Sequence, residues 1–296
     1  MAVALSRRQL LTGVAGLAVV GGAAAAEGGR AWHHADELLH PVPQPSFSIP
    51  AAKPGGVVSG AFTSAARGGR RVRWAVAYPP GQAGDARLPV ALVLHGRGDN
   101  YASAFGSHAL DRYLAAAVQA GAPAYALASV DGGDHTYWHR RTDGDDPQQM
   151  VVEEFLPLLA ARGLHTATVG LTGWSMGGYG ALLLAERLGR SGCAAVAVDS
   201  PALWTSPGST APGAFDDAAD YARHDVFAGR PSLSGVPVRV AIGTSDPFYA
   251  ATRSFVAGLR PRPATDFSIG GHSLAFWRHS APAQVAFLGA HLGGLS

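Results

Sequence analysis

The chain has 296 residues, 47% hydrophobic and 15% charged, enough to bury one large core and too apolar for a disordered or fibrous protein. Its 23 basic residues nearly match its 21 acidic ones. With no basic run and no Lys/Arg stripe interleaved with aromatics, nucleic acid is excluded as a partner, and a net charge of +2 leaves no long-range steering field.

Residues 1–26 read as an export signal. Ser6-Arg7-Arg8-Gln9-Leu10-Leu11 resembles the twin-arginine type, and about a dozen mildly apolar residues follow, a run too short to span a bilayer. Ala24-Ala25-Ala26 then offers a cleavage site before Glu27. Removing Arg7 and Arg8 with this segment balances the charges at 21 each. Residues 27–56, rich in Pro, Ala and His, read as an arm without periodicity. His33, His34 and His40 match no metal-ligand spacing, and no metal or cofactor is expected. Cys193, the only cysteine, lies in an apolar run and reads as a buried small hydrophobe, so no internal disulfide supports the core.

From residue 57 to 296 the pattern is that of one catalytic domain. "VVSGAFTS" and "RVRWAVAYP" read as an antiparallel opening pair of strands. "LPVALVLHG" is a buried strand before a helix around residues 108–119, and "APAYALASVDGG" is the next strand. A helix over 148–162 has Val151, Val152, Phe155 and Leu158 on one face. A strand at 168–172 leads through a glycine-flanked serine into a helix over 177–188. "CAAVAVDS", "VPVRVAIGTSD" and "ATDFSIGG" are three further strands, with helices at about 248–259 and 274–292 after the last two. Continuous apolar strands alternating with helices predict an α/β fold, a mostly parallel central sheet with helices on both faces. Ligands of such sheets bind beyond the carboxyl ends of the strands.

Four short segments fall at those ends. Gly173-Trp174-Ser175-Met176-Gly177 is a G-x-S-x-G motif at a strand-to-helix turn. With 39 glycines the pentapeptide alone would occur by accident in about one such chain in three, so its setting carries the weight. A sharp turn there lifts the Ser175 hydroxyl out of the sheet as a nucleophile, which needs a base within reach. His272, after the last strand and two glycines, is the expected base. Asp246, ending the preceding strand, is the expected acid, with Asp199 as its rival and an N-cap role compatible with either outcome. The loop His95-Gly96-Arg97-Gly98 and the helix N-terminus at Met176 offer two backbone N–H groups, those of Arg97 and Met176, as an oxyanion hole. Trp138 and Trp277 read either as walls of an acyl pocket or as ordinary core. His135, His139, Arg140 and Arg141 read either as a grip for a polar head group or as a solvated loop.

Together "LHGRGDN", "GWSMGGYGAL", "GTSDPFY" and "GGHSLAFW" resemble the putative-esterase family of α/β-hydrolases, which includes esterase D and the antigen 85 mycolyltransferases. The "DGGDHTYWHRR" and "VVEEFLPLL" segments resemble the same branch, and the likeness covers most of residues 57–296. It implies the α/β-hydrolase fold, with Ser175 as nucleophile, His272 as base, Asp246 as acid and Arg97 and Met176 as oxyanion donors. The mycolyltransferases carry an Asp-Gly pair and an Arg in the oxyanion loop and a glutamate acid. This chain has His95-Gly96, Gly98 and Asp246 there. An exported serine esterase acting on a small-molecule or lipid ester, in association with the cell envelope, is therefore expected ahead of an acyltransferase to sugar hydroxyls. A catalytically idle cell-surface binding protein ranks third.

Overall fold

The computed structural model describes residues 42–82 and 87–295, and residues 43–296 form one compact unit. The segment read as an export signal and the three early histidines lie outside the described residues. Eight strands form a single sheet in the order β1-β2-β4-β3-β5-β6-β7-β8. They are β1 Val57–Ser64, β2 Arg70–Ala77, β3 Pro89–Leu94, β4 Ala126–Val130, β5 His165–Trp174, β6 Cys193–Asp199, β7 Val238–Ala241 and β8 Ala264–Asp266. β2 pairs antiparallel with both β1 and β4, and every other pairing is parallel. This is the α/β-hydrolase architecture.

The sheet is covered on both faces because its central strands have no polar side. In β3, Val90, Leu92 and Leu94 join one core cluster while Ala91 and Val93 join the other. Successive side chains point to opposite faces, so a strand buried on both sides must be apolar throughout. One face is closed by α1 (Leu110–Gln119) and, at the end of the chain, the helix Leu274–Leu292. The other carries the helical stretch α2, residues 147–161, and α3, Met176–Gly192. Between β6 and β7 the chain makes a long excursion holding two short helices, α4 (Ala218–Arg223) and α5 (Val226–Gly229). α6 (Tyr249–Ala257) follows β7, and the closing helix Leu274–Leu292 is α7.

The face expected of α2 changes partway along it. Val151, Phe155, Leu156 and Leu159 are buried, while Val152 and Leu158 are only partly so. A π-type turn at Val151–Phe155 rotates the second half of the stretch. Pro157 has no N–H to return to the preceding turn, and the wider turn accommodates it. Residues 43–56, the part of the expected arm that belongs to the compact unit, carry no regular secondary structure.

Candidate active site

β5 ends at Trp174 and α3 starts at Met176, so one residue makes the whole turn. That residue is Ser175, at φ 55° and ψ −121°, a conformation that costs a non-glycine residue on the order of 1–3 kcal/mol. The surroundings hold it there. The Ser175 N–H donates to the Asp199 carbonyl at 3.1 Å, and its own carbonyl accepts from Tyr179 and Ala202, each at 3.1 Å. The two flanking glycines are required by space: a Cβ on Gly173 would lie 2.5 Å from the Gly177 carbonyl oxygen, and one on Gly177 would collide with the backbone of Leu94. β3, β5 and α3 approach too closely there for any side chain.

His272 reaches Ser175 from the turn between β8 and α7. Its Nε2 lies 2.9 Å from the Ser175 Oγ, and its Nδ1 lies 2.8 Å from the Asp246 Oδ2. A buried carboxylate accepts only, so Nδ1 carries the proton and the Nε2 lone pair faces the serine hydroxyl. Asp246 is 4% exposed, and its Oδ1 accepts the Phe248 N–H at 2.9 Å. One oxygen thus orients the histidine while the other holds the turn into α6. The rival Asp199 is engaged elsewhere: Ser280 Oγ donates to it at 2.7 Å and Arg239 lies 3.9 Å away. Burial pushes the Asp199 pKa up to about 7.

The loop after β3 is held from behind. Gly132 N–H donates to His95 Nε2 at 2.9 Å, which makes Nδ1 the protonated nitrogen, and Nδ1 donates to the Gly96 carbonyl at 2.8 Å. Burial keeps the His95 pKa below the ordinary histidine value, favouring this neutral form. The same carbonyl accepts the Asp99 N–H at 3.2 Å, closing a turn whose third residue, Gly98, has φ 75°. In a trans peptide the N–H points opposite to the C=O. With the Gly96 oxygen turned inward, the Arg97 N–H is directed away from these partners. The Met176 N–H belongs to the first turn of α3, where helix geometry supplies no internal acceptor and the helix dipole favours negative charge.

The aromatic residues divide. Trp277 presents its ring to His272, centroids 5.2 Å apart and nearly perpendicular, and Phe248 packs against the same imidazole at 5.3 Å with its ring inclined at 65°. Phe248 was not singled out from sequence; its place two residues after the expected acid was the available signal. Trp138 is wholly buried, its Nε1 donating to the His95 carbonyl at 3.2 Å. It braces the loop after β3 from inside and has no surface to offer an acyl group, which corrects the expectation of a pocket wall. Trp174 is also structural: it stacks on His108 at 3.6 Å and donates to Asp99 at 2.8 Å, and burial lowers the His108 pKa to about 4.

The residues read as a head-group grip are also partly committed. Arg141 donates to the Ala214 carbonyl at 2.7 Å and pairs with Asp216, tying the 131–146 loop to the β6–β7 excursion. His139 is buried in the same tie, whereas Arg140 is exposed. His135 pairs with Asp134 at 2.8 Å. Burial raises the Tyr137 pKa, and the neighbouring Arg97 guanidinium pulls it back. Among the described residues, His139, Asp220 and His224 bring three ligand-type atoms within 4.8 Å of one another. Both His139 nitrogens, however, face backbone carbonyls of Arg140 and Ala214 at 3.0 Å, which leaves neither directed at an ion between the three.

A strained serine on a strand-to-helix turn, hydrogen-bonded through histidine to aspartate, is the arrangement of serine hydrolases on the α/β-hydrolase fold. The sequence matches the family described as "Putative esterase" over residues 65–288, and the chain belongs to that family. No curated protein matches it in sequence. Among solved structures it is similar to a ferulic acid esterase, with TM-score 0.70 and 18% identity over 81% of this chain and 99% of that one. An S-formylglutathione hydrolase from Agrobacterium tumefaciens aligns with TM-score 0.67 and 17% identity, covering 84% of this chain and 100% of the other. A ferulic acid esterase from Anaeromyces mucronatus, in complex with ferulic acid, aligns with TM-score 0.64 and 16% identity over 83% and 94%.

Proposed function

We propose that this protein is an exported serine esterase working through Ser175, His272 and Asp246. The observation that carries the reading is the unbroken pair of hydrogen bonds, 2.9 Å from serine to histidine and 2.8 Å from histidine to aspartate. His272 Nε2 takes the hydroxyl proton as Ser175 Oγ attacks the ester carbonyl carbon. The carbonyl oxygen becomes an oxyanion, held by the Arg97 and Met176 N–H groups. As the intermediate collapses, the C–O bond to the alcohol breaks and His272 gives its proton to the leaving alkoxide. Water then attacks the acyl-enzyme, with His272 again taking and returning the proton. Asp246 remains ionised throughout and stabilises the imidazolium.

The substrate is a small-molecule or lipid ester whose acyl group meets Phe248 and Trp277 beside the histidine. Hydrolysis is favoured over transfer to a sugar because His95 and Gly98 stand where the mycolyltransferases carry Asp and Arg in the oxyanion loop. Export is supported by the twin arginine at Arg7-Arg8 and the alanines before Glu27. The test is Ser175→Ala with p-nitrophenyl esters of graded chain length, alone and with trehalose as acceptor. Free acid from the wild type only is expected. Turnover unchanged in the variant would end the triad reading, and acylated sugar exceeding free acid would replace hydrolase by transferase. A secreted protein beginning at Glu27 is the expected result of N-terminal sequencing.

A further inference from the structure

The turn that carries His272 is gripped from outside by a segment of the N-terminal arm. Gln44 Oε1 accepts two hydrogen bonds, from Ser273 Oγ at 2.7 Å and from Gly271 N–H at 3.4 Å. These are the residues on either side of His272. The assignment of atoms follows from chemistry: the Gly271 amide can only donate, so the oxygen of the carboxamide faces it. Ser273 Oγ meanwhile accepts the Phe276 N–H at 3.2 Å as the N-cap of α7, which directs its single proton to Gln44.

Three neighbouring contacts run the same way. Pro45 lies against Gly270, its Cδ 3.2 Å from where a Cβ there would be. His279 Nδ1 lies 2.9 Å from the Ser46 carbonyl, and the Arg278 guanidinium lies over the Phe47 ring at 5.2 Å. The turn needs such help. Gly270 sits at φ 155° with Gly271 next to it, two residues of high intrinsic freedom immediately before the imidazole. From the other side the turn is held by Ser245 N–H on the Gly270 carbonyl at 2.9 Å.

We propose that residues 44–47 act as a strap on the histidine turn, with Gln44 as a positioning residue that keeps the His272 imidazole aligned on Ser175. This rests on the triad reading above. Gln44 touches neither the imidazole nor the serine; it acts through the backbone and the N-cap that fix where the ring stands.

The full chain is compared with Gln44→Ala and Gln44→Glu by p-nitrophenyl acetate turnover against pH, by the rate of Ser175 labelling with a fluorophosphonate, and by Tm. Gln44→Ala is expected to lose about tenfold in kcat and in labelling rate, with KM within about twofold, since a small displacement of a base from its nucleophile acts on the chemical step. Its Tm should stay within about 2 °C of the wild type, because the Gln44 side chain and its shorter bond, to Ser273, are exposed. Gln44→Glu keeps an acceptor oxygen for Ser273 Oγ and the Gly271 N–H and so should retain kcat. The charged group already facing His272 is Asp246, and the Phe248 and Trp277 rings packed against it are uncharged. An added carboxylate near the imidazole therefore moves the acid limb of the pH profile upward. Wild-type kcat in Gln44→Ala, a loss of kcat that only tracks a fall in Tm, or an unmoved acid limb in Gln44→Glu would each overturn the inference. A wild-type chain that neither turns over ester nor takes the label sinks the esterase reading itself, a separate outcome.

Discussion

Asp246 and His272 are joined at 2.8 Å through Oδ2 and Nδ1, and the second oxygen of the same carboxylate holds the Phe248 amide at 2.9 Å. The aspartate therefore does two jobs that substitution can separate. Asp246→Asn keeps an oxygen for the Phe248 amide but no longer compels Nδ1 to carry the proton. Its kcat for p-nitrophenyl acetate is expected to fall about ten-thousand-fold with little change in Tm. Asp199→Asn, at the rival acid, should leave kcat within about threefold and act on stability, since Asp199 bonds Ser280 and faces Arg239. Steady-state kinetics on the two variants side by side checks the assignment.

The elbow predicts a sharp contrast between glycines. Gly177→Ala drives a methyl group into the Leu94 backbone, whereas Gly208→Ala adds one in open space. The first should cost about 3 kcal/mol or more, or prevent folding, and the second about nothing. Urea unfolding of the two proteins reads the difference directly.

Two tryptophans expected to share a role should behave differently. Trp138→Ala removes a fully buried ring that fills the space beside Gly132 and Gly180, and should cost about 3–5 kcal/mol. Trp277→Ala removes a partly exposed ring beside His272 and should change KM across acyl lengths by about fivefold or more while costing less stability. Thermal melts and chain-length profiles separate them.

A buried carboxyl away from the site sets a pH dependence of stability. Burial, with Asp225 nearby, raises the Glu186 pKa from its ordinary 4.5 to about 8. The folded state then holds a proton that the unfolded chain releases, so this group's contribution is fully present below about pH 4.5 and is lost as pH rises toward 8. Glu186→Gln, which cannot ionise, should match the wild-type Tm at pH 5 and exceed it by about 3–6 °C at pH 8.5. Differential scanning calorimetry at the two pH values tests this. Equal differences at both would show that ionisation is not the cause.

Much of the site was legible because its chemistry demands particular residues at particular points of an alternating pattern. Gly173 and Gly177 were readable as a pair since only glycine fits where β3, β5 and α3 meet. Ser175, Asp246 and His272 were readable since each follows a strand, and strand ends converge at one rim of a parallel sheet. Arg97 was chosen from two glycines in its loop. What could not be read was how that loop is held: His95 fixes the Gly96 carbonyl and itself accepts from Gly132, 37 positions away in sequence.

The sequence by itself determined the fold class, the order of the elements and the identity of the three residues that meet, because hydrophobic period and motif chemistry are local properties of a chain. Tertiary structure alone decided which tryptophan faces the site, which carboxylate oxygen serves the histidine, and that Gln44 lies against Gly271 and Ser273, 227 and 229 positions away. Those outcomes depend on which side chains compete for the same space and the same hydrogen-bond donors once distant segments pack. No window along the sequence contains both competitors.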